Sequence, residues 1–269
     1  MNIVLYHNDM KHQIEACTRF SAGLLKHGGP IRVINLSLRD KVGAGCDLAV
    51  FWGHRAKDII SHQKLAGAHY LVMERGYIGD RFVWTSLGFD GLNGRAAFPN
   101  IQDGRARWLK HFQQYEQPWQ SRYANIALIM GQVEGDASIQ GVNFWGWVRD
   151  SAAALKNAGY VPMFRPHPAA RHTPPIFDLS VMPGDLQEAL RNASIVCTFN
   201  SNSGVDSVMA GIPASADDPG SMIFGLCGGY PPEYVDRGAW EQKMSYTQWL
   251  PEEIENGDAW AALKTVLNG

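Results

Sequence analysis

No stretch of this 269-residue chain approaches the roughly 20 consecutive apolar residues that cross a bilayer, so no membrane span is expected. Its opening, Asn2-Ile3-Val4-Leu5-Tyr6-His7, reads as a β-strand and lacks the basic start, long apolar centre and small-residue cleavage site of a signal peptide. A cytoplasmic protein is the expectation. Cysteine is scarce: Cys17, Cys46, Cys197 and Cys227 lie far apart with no CxxC pair. That argues against a zinc ribbon or a disulfide framework and for buried free thiols. GxGxxG, Walker, HExxH and GxSxG motifs are missing, which weighs against dehydrogenase, NTPase, metalloprotease and α/β-hydrolase chemistry. With 45% hydrophobic and 19% charged residues the chain is not disordered, and it can bury one large core or two modest ones of roughly 120–150 residues each.

Net charge is only −2, but residues 1–122 hold 16 Lys+Arg against 10 Asp+Glu, and residues 123–269 hold 8 against 16. The basic first half suggests an anionic partner. Strands are expected at 2–7, 31–36, 47–52 and 69–74, with helices near 11–26 and 55–66. These apolar runs are continuous rather than alternating, as in strands covered on both faces of a parallel sheet. Residues 76–99, rich in glycine and aromatics, read as a long functional loop. A helix at 103–116 and a linker at Gln117-Pro118-Trp119 follow. The alternation then restarts, with strands at 125–130, 160–164 and 194–199 and helices at 144–158, 185–193 and 203–210. The pattern predicts an α/β fold of two Rossmann-type domains, 1–120 and 121–269, the second carrying a helical tail, with ligands at the carboxyl ends of the strands.

Three segments carry candidate chemistry in the second half. Ser201-Asn202-Ser203 leads from a strand into a helix whose first N–H groups attract phosphate, with Asp206 one turn on and within reach of ribose hydroxyls; an ordinary N-cap at Ser203 is the plain alternative. Arg165-Pro166-His167-Pro168 ends the neighbouring strand, where prolines stiffen the backbone and a cation and an imidazole suit a phosphate leaving group. Gly131 and Gln132 open a loop with room for close backbone approach to a ligand. In the first half Glu74, Asp80 and Asp90 are candidate general bases, with salt bridges to Arg75, Arg81 and Arg95 as the competing reading. Asp217-Asp218-Pro219 reads as a solvated turn rather than a metal site.

The stretches Gly131-Gln132-Val133-Glu134-Gly135-Asp136-Ala137-Ser138-Ile139, Arg165-Pro166-His167-Pro168 and 201–213 resemble the capsule-polysaccharide (β-Kdo transferase) family, and the His-Pro element is similar to that of bacterial sialyltransferases. The resemblance implies a GT-B fold and inverting, metal-independent transfer from a CMP-activated sugar. Glu74-Arg75-Gly76-Tyr77-Ile78 resembles the family's acidic-acidic-Gly-aromatic-Ile element, which places the base at Glu74 ahead of Asp80; Arg75 stands where a second acidic residue is usual. Asp206 is likewise shorter than the usual Glu, so the donor nucleotide need not be the family's; a UDP- or CMP-sugar is the expected co-substrate, with no bound cofactor and no metal expected. Residues 74–96, including Gly91-Leu92-Asn93-Gly94-Arg95-Ala96, are also similar to small phage-encoded proteins.

Three functions follow. One is a transferase decorating hydroxymethylated pyrimidines in double-stranded (phage) DNA, with Arg75, Tyr77, Arg81, Trp84, Asn93 and Arg95 facing the acceptor and Arg105, Arg107 and Lys110 adding positive charge. The second is a Kdo- or sialyl-type transferase acting on a capsule or lipopolysaccharide glycan. The third is a non-catalytic nucleotide-sugar or DNA-binding protein. The basic first half favours DNA. The residues do not fix an oligomeric state.

Overall fold

A computed structural model describes residues 1–27, 31–35, 46–121, 124–170, 179–182 and 184–268. The chain forms two compact units, residues 1–112 with 241–269, and residues 113–240.

The first unit opens with β1 (Ile3–His7), α1 (Lys11–Leu25), β2 (Ile31–Asn35), β3 (Leu48–Trp52), α2 (Lys57–Leu65), β4 (His69–Arg75), β5 (Thr85–Phe89) and α3 (Ala106–His111). The pairs β1–β2, β1–β3 and β3–β4 are parallel, as the continuous apolar runs predict. Residue 36 of the expected second strand lies outside the described residues. Side chains alternate across the sheet. Ile3, Leu5, Leu48, Val50, Leu71 and Met73 therefore face α1, where Cys17, Phe20 and Leu24 meet them. Val4, Tyr6, Ala49, Phe51, Tyr70 and Val72 face Ile59 and Ile60 of α2. The expected loop at 76–99 contains β5, which runs antiparallel to β4. Its Gly88 weakens the strand pattern, yet a Cβ there would lie 2.6 Å from that of Ala96 as the chain doubles back.

The second unit holds β6 (Ile126–Met130), α4 (Phe144–Asn157), β7 (Val161–Arg165), β8 (Ser180–Val181), α5 (Leu186–Asn192), β9 (Ile195–Thr198), α6 (Ser203–Met209) and β10 (Ala214–Ala216); α7 (Gly238–Met244) crosses into the first unit. Its strands are all parallel, in the order β10-β9-β6-β7-β8. Asn143 and Asp185 cap α4 and α5, and Gly159, at φ 84°, ends the first of these helices.

The tail does not belong to the second domain, as the 121–269 boundary supposed. After α7 come β11 (Gln248–Trp249), α8 (Pro251–Glu255) and α9 (Asp258–Leu267); β11 adds antiparallel to β5 in the first sheet. Apolar burial drives this return: Trp249, Ile254, Trp260 and Leu263 complete the core over α1. Gly23 in α1 permits it, since a Cβ there would sit 2.1 Å from the Ile254 carbonyl oxygen. Arg107 then fixes the tail. Both its terminal nitrogens donate to the Glu253 carboxylate, its Nε donates to the Ser245 carbonyl at 2.6 Å, and its guanidinium lies 4.4 Å from the Trp249 ring centre.

Removing one partner of a fully buried pair costs about 3–5 kcal/mol, and this pair, at 10% and 15% side-chain exposure, belongs at the lower end. Glu253→Gln is accordingly expected to destabilise the first unit by about 3 kcal/mol at pH 7 in chemical denaturation. Burial by itself would raise the Glu253 carboxyl, but hydrogen bonds and charge from Arg107 outweigh it and hold the group below its ordinary 4.5. A carboxyl depressed on folding stabilises the native state above its unfolded value and loses that contribution as pH falls through the folded one. The stability difference between wild type and Glu253→Gln should therefore shrink as pH drops below 4.5; a constant difference would contradict the ion pair.

Candidate functional site

In the second sheet β6 leads to β7 on one side, and the chain later returns to lay β9 on the other. The strand order thus reverses between β6 and β9, and ligands of open α/β sheets bind outside the carboxyl ends at such a point. The two loops that meet there are tied by amides. Gln132 Nε2 donates to Asn200 Oδ1 at 2.7 Å and the Asn200 N–H donates to Gln132 Oε1 at 3.1 Å. Asn200 Nδ2 donates further to the Ser138 carbonyl at 2.8 Å and to Asp218 Oδ1 at 3.0 Å. Asn200 is buried and joins three loops. Its role was not visible in the sequence, where it is one polar residue in a run of four.

Beside this tie a pocket of about 600 Å³ opens between the loops after β6 and β7. Gln132, Glu134, Trp145, Phe164, Pro166 and His167 line it. His167 Nδ1 accepts from the Ala169 N–H at 3.1 Å, so the neutral ring carries its proton on Nε2. Arg165 precedes this turn, and its Nε is buried without a hydrogen-bond partner. Such an atom costs free energy unless something binds it. At Gly131 the two loops meet backbone to backbone, its N–H donating to the Arg165 carbonyl at 2.8 Å. A Cβ would lie 2.8 Å from Phe164 Cζ, 2.9 Å from that carbonyl and 3.0 Å from the His167 nitrogen.

Ser201, Asn202 and Ser203 follow β9, all part-exposed, but Asn202 rather than Ser203 is the residue before the first helical turn. The hydroxyls of Ser201 and Ser203 bond each other at 2.9 Å, and Ser201 Oγ accepts from the Ser203 N–H at 3.2 Å. Asp206 is part-exposed one turn into α6. Asp217 accepts from Trp147 Nε1 and from the Tyr230 hydroxyl, and Asp218 from Asn200 and the Gly220 N–H. Among the described residues no group of three or more His, Cys, Asp or Glu could hold a metal ion.

In the first sheet Glu74 and Arg75 end β4. Glu74 is half-buried, and its Oε1 accepts from the Arg75 N–H at 2.9 Å. The Arg75 guanidinium lies 4.6 Å from the Phe82 ring centre and 5.5 Å from that of Trp52, stacked rather than ion-paired. Asp80 is exposed and accepts from the Phe82 N–H at 2.9 Å, the bond of a turn residue. Asp90 lies at the far end of the strand pair, where His69 and the Tyr70 N–H donate to it. Four residues beyond the Ser86 that pairs with Glu74, it is about 13 Å along the strand. Arg81 and Arg95 are exposed, whereas Tyr77 and Trp84, expected on the acceptor face, are each only 5% exposed. Tyr77 donates to Asn93 Oδ1 at 3.1 Å and accepts from Ser86; Trp84 packs on Phe112. Both brace the loop from inside. Arg105 and Arg107 are spent on Glu241 and Glu253 of the tail.

Gly131→Ala should cost about 1–3 kcal/mol of stability in the second unit, because backbone must move to admit the methyl. It should also weaken any ligand that stabilises the wild type in thermal melts. An unchanged melting temperature would contradict the contact.

No protein-family model matches the chain, and no curated protein matches its sequence. Among solved structures, a β-Kdo 2,7 transferase, KpsC of Thermosulfurimonas dismutans, matches with a TM-score of 0.58 at 15% identity, covering 98% of this chain and 100% of that one. A KpsC β-Kdo 2,4 transferase of the same organism matches with a TM-score of 0.57 at 14% identity, covering 99% and 98%. At these identities the likeness is one of fold: the chain has the fold of these transferases, two Rossmann-type α/β units of the GT-B class, over nearly its whole length.

Proposed function

We propose that this chain is an inverting glycosyltransferase that takes its sugar from a nucleotide-sugar and passes it to a hydroxyl of an acidic glycan. The carrying observation is the second unit's carboxyl end: an order reversal and, beside it, a pocket of about 600 Å³ that His167 lines; Arg165, which ends β7 next to the lining residues Phe164 and Pro166, is not in the lining itself but has a buried, unpartnered Nε. The donor phosphate is assigned to Arg165 and His167. Arg165 balances its charge, and His167 Nε2–H hydrogen-bonds the oxygen that leaves with the nucleotide. Glu74 is the base: it accepts the proton of the acceptor hydroxyl as that oxygen bonds the anomeric carbon. Asp80, exposed and turn-bound, is the weaker candidate.

The fold supports a glycan acceptor, since the two matching structures named above are β-Kdo transferases. Charge no longer supports DNA. With the tail counted, the first unit holds 17 Lys+Arg against 14 Asp+Glu, so its excess falls to +3. Arg105 and Arg107, expected along a phosphate backbone, are paired inside the unit.

The purified chain should add mass to an acidic glycan primer with one member of a nucleotide-sugar panel, and none to a hydroxymethylcytosine duplex. The reverse result would restore the DNA reading, and no transfer to either would end the enzymatic one. Loss of a charge-assisted hydrogen bond costs about 1.5–3 kcal/mol. Arg165→Ala and His167→Ala should thus each weaken nucleotide binding about ten- to hundredfold, read as a lost melting-temperature shift. Glu74→Gln should instead lower kcat by about a hundredfold or more with nucleotide binding intact.

A further inference from the structure

Gln248 of β11 is fully buried, and its side-chain amide makes three hydrogen bonds to the backbone just past Glu74. Its Oε1 accepts from the Tyr77 N–H at 2.6 Å and the Ile78 N–H at 3.0 Å, and its Nε2 donates to the Ile78 carbonyl at 2.9 Å. Cross-strand register explains how it gets there. Gln248 pairs with Ser86, and Ser86 pairs with Glu74, so the three form one row across β11, β5 and β4. Directly opposed residues point to the same face. Glu74 and Gln248 are two strands apart, about 10 Å, too far for direct contact. Between them the chain leaves β4 through Gly76, whose N–H donates to the Trp84 carbonyl at 2.9 Å. A Cβ on Gly76 would lie 2.5 Å from Trp84 Cβ and 3.2 Å from Gln248 Oε1. Arg81 Nε closes the loop on the Gly76 carbonyl at 3.1 Å.

We infer that Gln248 is a positioning residue for the transfer reaction: by gripping Tyr77 and Ile78 it fixes the exit of β4 and thereby the direction of the Glu74 carboxylate. The inference rests on Glu74 as the base. A strand end followed by a glycine has no stiffness of its own. Proton transfer needs the base within hydrogen-bond reach of the hydroxyl, and small misplacements are expensive. No hydrophobic residue at 248 can replace the amide, because two buried N–H groups and a carbonyl would lose their partners.

The test uses the full chain and two variants. Gln248→Met removes all three bonds, and Gln248→Glu keeps both acceptor bonds but donates to Ile78 only when protonated. Gln248→Met should lower kcat about ten- to hundredfold while the nucleotide's dissociation constant stays within about twofold. For Gln248→Glu, the ratio of its kcat to that of wild type should rise as pH falls, as the carboxyl gains the proton that restores the third bond. Amide exchange at Tyr77 and Ile78 should be slow in wild type and fast in Gln248→Met. A folded Gln248→Met with kcat within about twofold of wild type would overturn the inference, as would a pH-independent ratio for Gln248→Glu. Should Gln248→Met not fold, the pH ratio of Gln248→Glu decides. Failure of the base assignment looks different: Glu74→Gln would keep its turnover, while the exchange at Tyr77 and Ile78 would still report the grip.

Discussion

Arg107 holds the C-terminal tail, and through the tail it holds the first unit's candidate site. Its guanidinium is enclosed by the Glu253 carboxylate, the carbonyls of Ser245 and Gln248, and the faces of Trp249 and Tyr246. A buried charge needs several such partners, and here each comes from the same short stretch of tail. Arg107 therefore sets the course of residues 245–253 as well as tethering them. Because it also bonds the Gln248 carbonyl, the side chain of that residue is carried to a defined place against Tyr77 and Ile78. The order of dependence runs from a core ion pair to an edge strand, to one amide, to the loop beyond Glu74.

The second unit solves the equivalent problem with amides in place of an ion pair. At its switch point the loops after β6 and β9 are joined by the reciprocal amide pair of Gln132 and Asn200, and Asp218 and the Ser138 carbonyl complete the Asn200 amide. The loops are thus held by two neutral amides, with the Asp218 carboxylate as an acceptor for one of them. The cation Arg165 and the imidazole of His167 come from the other flank, at and just beyond the end of β7. Gly131 lets the β6 and β7 loops close to van der Waals distance, so scaffold and pocket meet at one residue.

Much of this was legible in the chain. The central parallel strands announce themselves by continuous apolar runs, and each helix between them by its period. The strands that were missed have physical excuses. β5 contains a glycine forced by Ala96, β10 is Ala-Ser-Ala, and β8 and β11 are two residues long. Positions beside the pocket, Gln132 and His167, could be read because they adjoin strand ends in sequence. Asn200 and Gln248 could not. Their partners lie 68 and 171 residues away, and a buried amide in sequence looks like any polar residue. The charge asymmetry misled for the same reason: Glu241 and Glu253 sit in the acidic half of the sequence but pair with Arg105 and Arg107 of the basic half.

Arg75, which departs from the expected acidic residue, bears on what Glu74 is able to do. An arginine next to a base would inactivate it by ion pairing, leaving both carboxylate oxygens occupied. The geometry avoids this. The guanidinium is drawn away onto the Phe82 and Trp52 rings, and only the Arg75 backbone N–H reaches Glu74, at Oε1. On the other side Gly53, at φ 71°, has no side chain; a Cβ there would rest 3.8 Å from Oε2. One carboxylate oxygen is thus anchored to the backbone and fixes the orientation, while the other lies beside Gly53. The proposed role of Glu74 as general base uses that division: one oxygen committed to holding the group still, and one for the proton of the incoming hydroxyl.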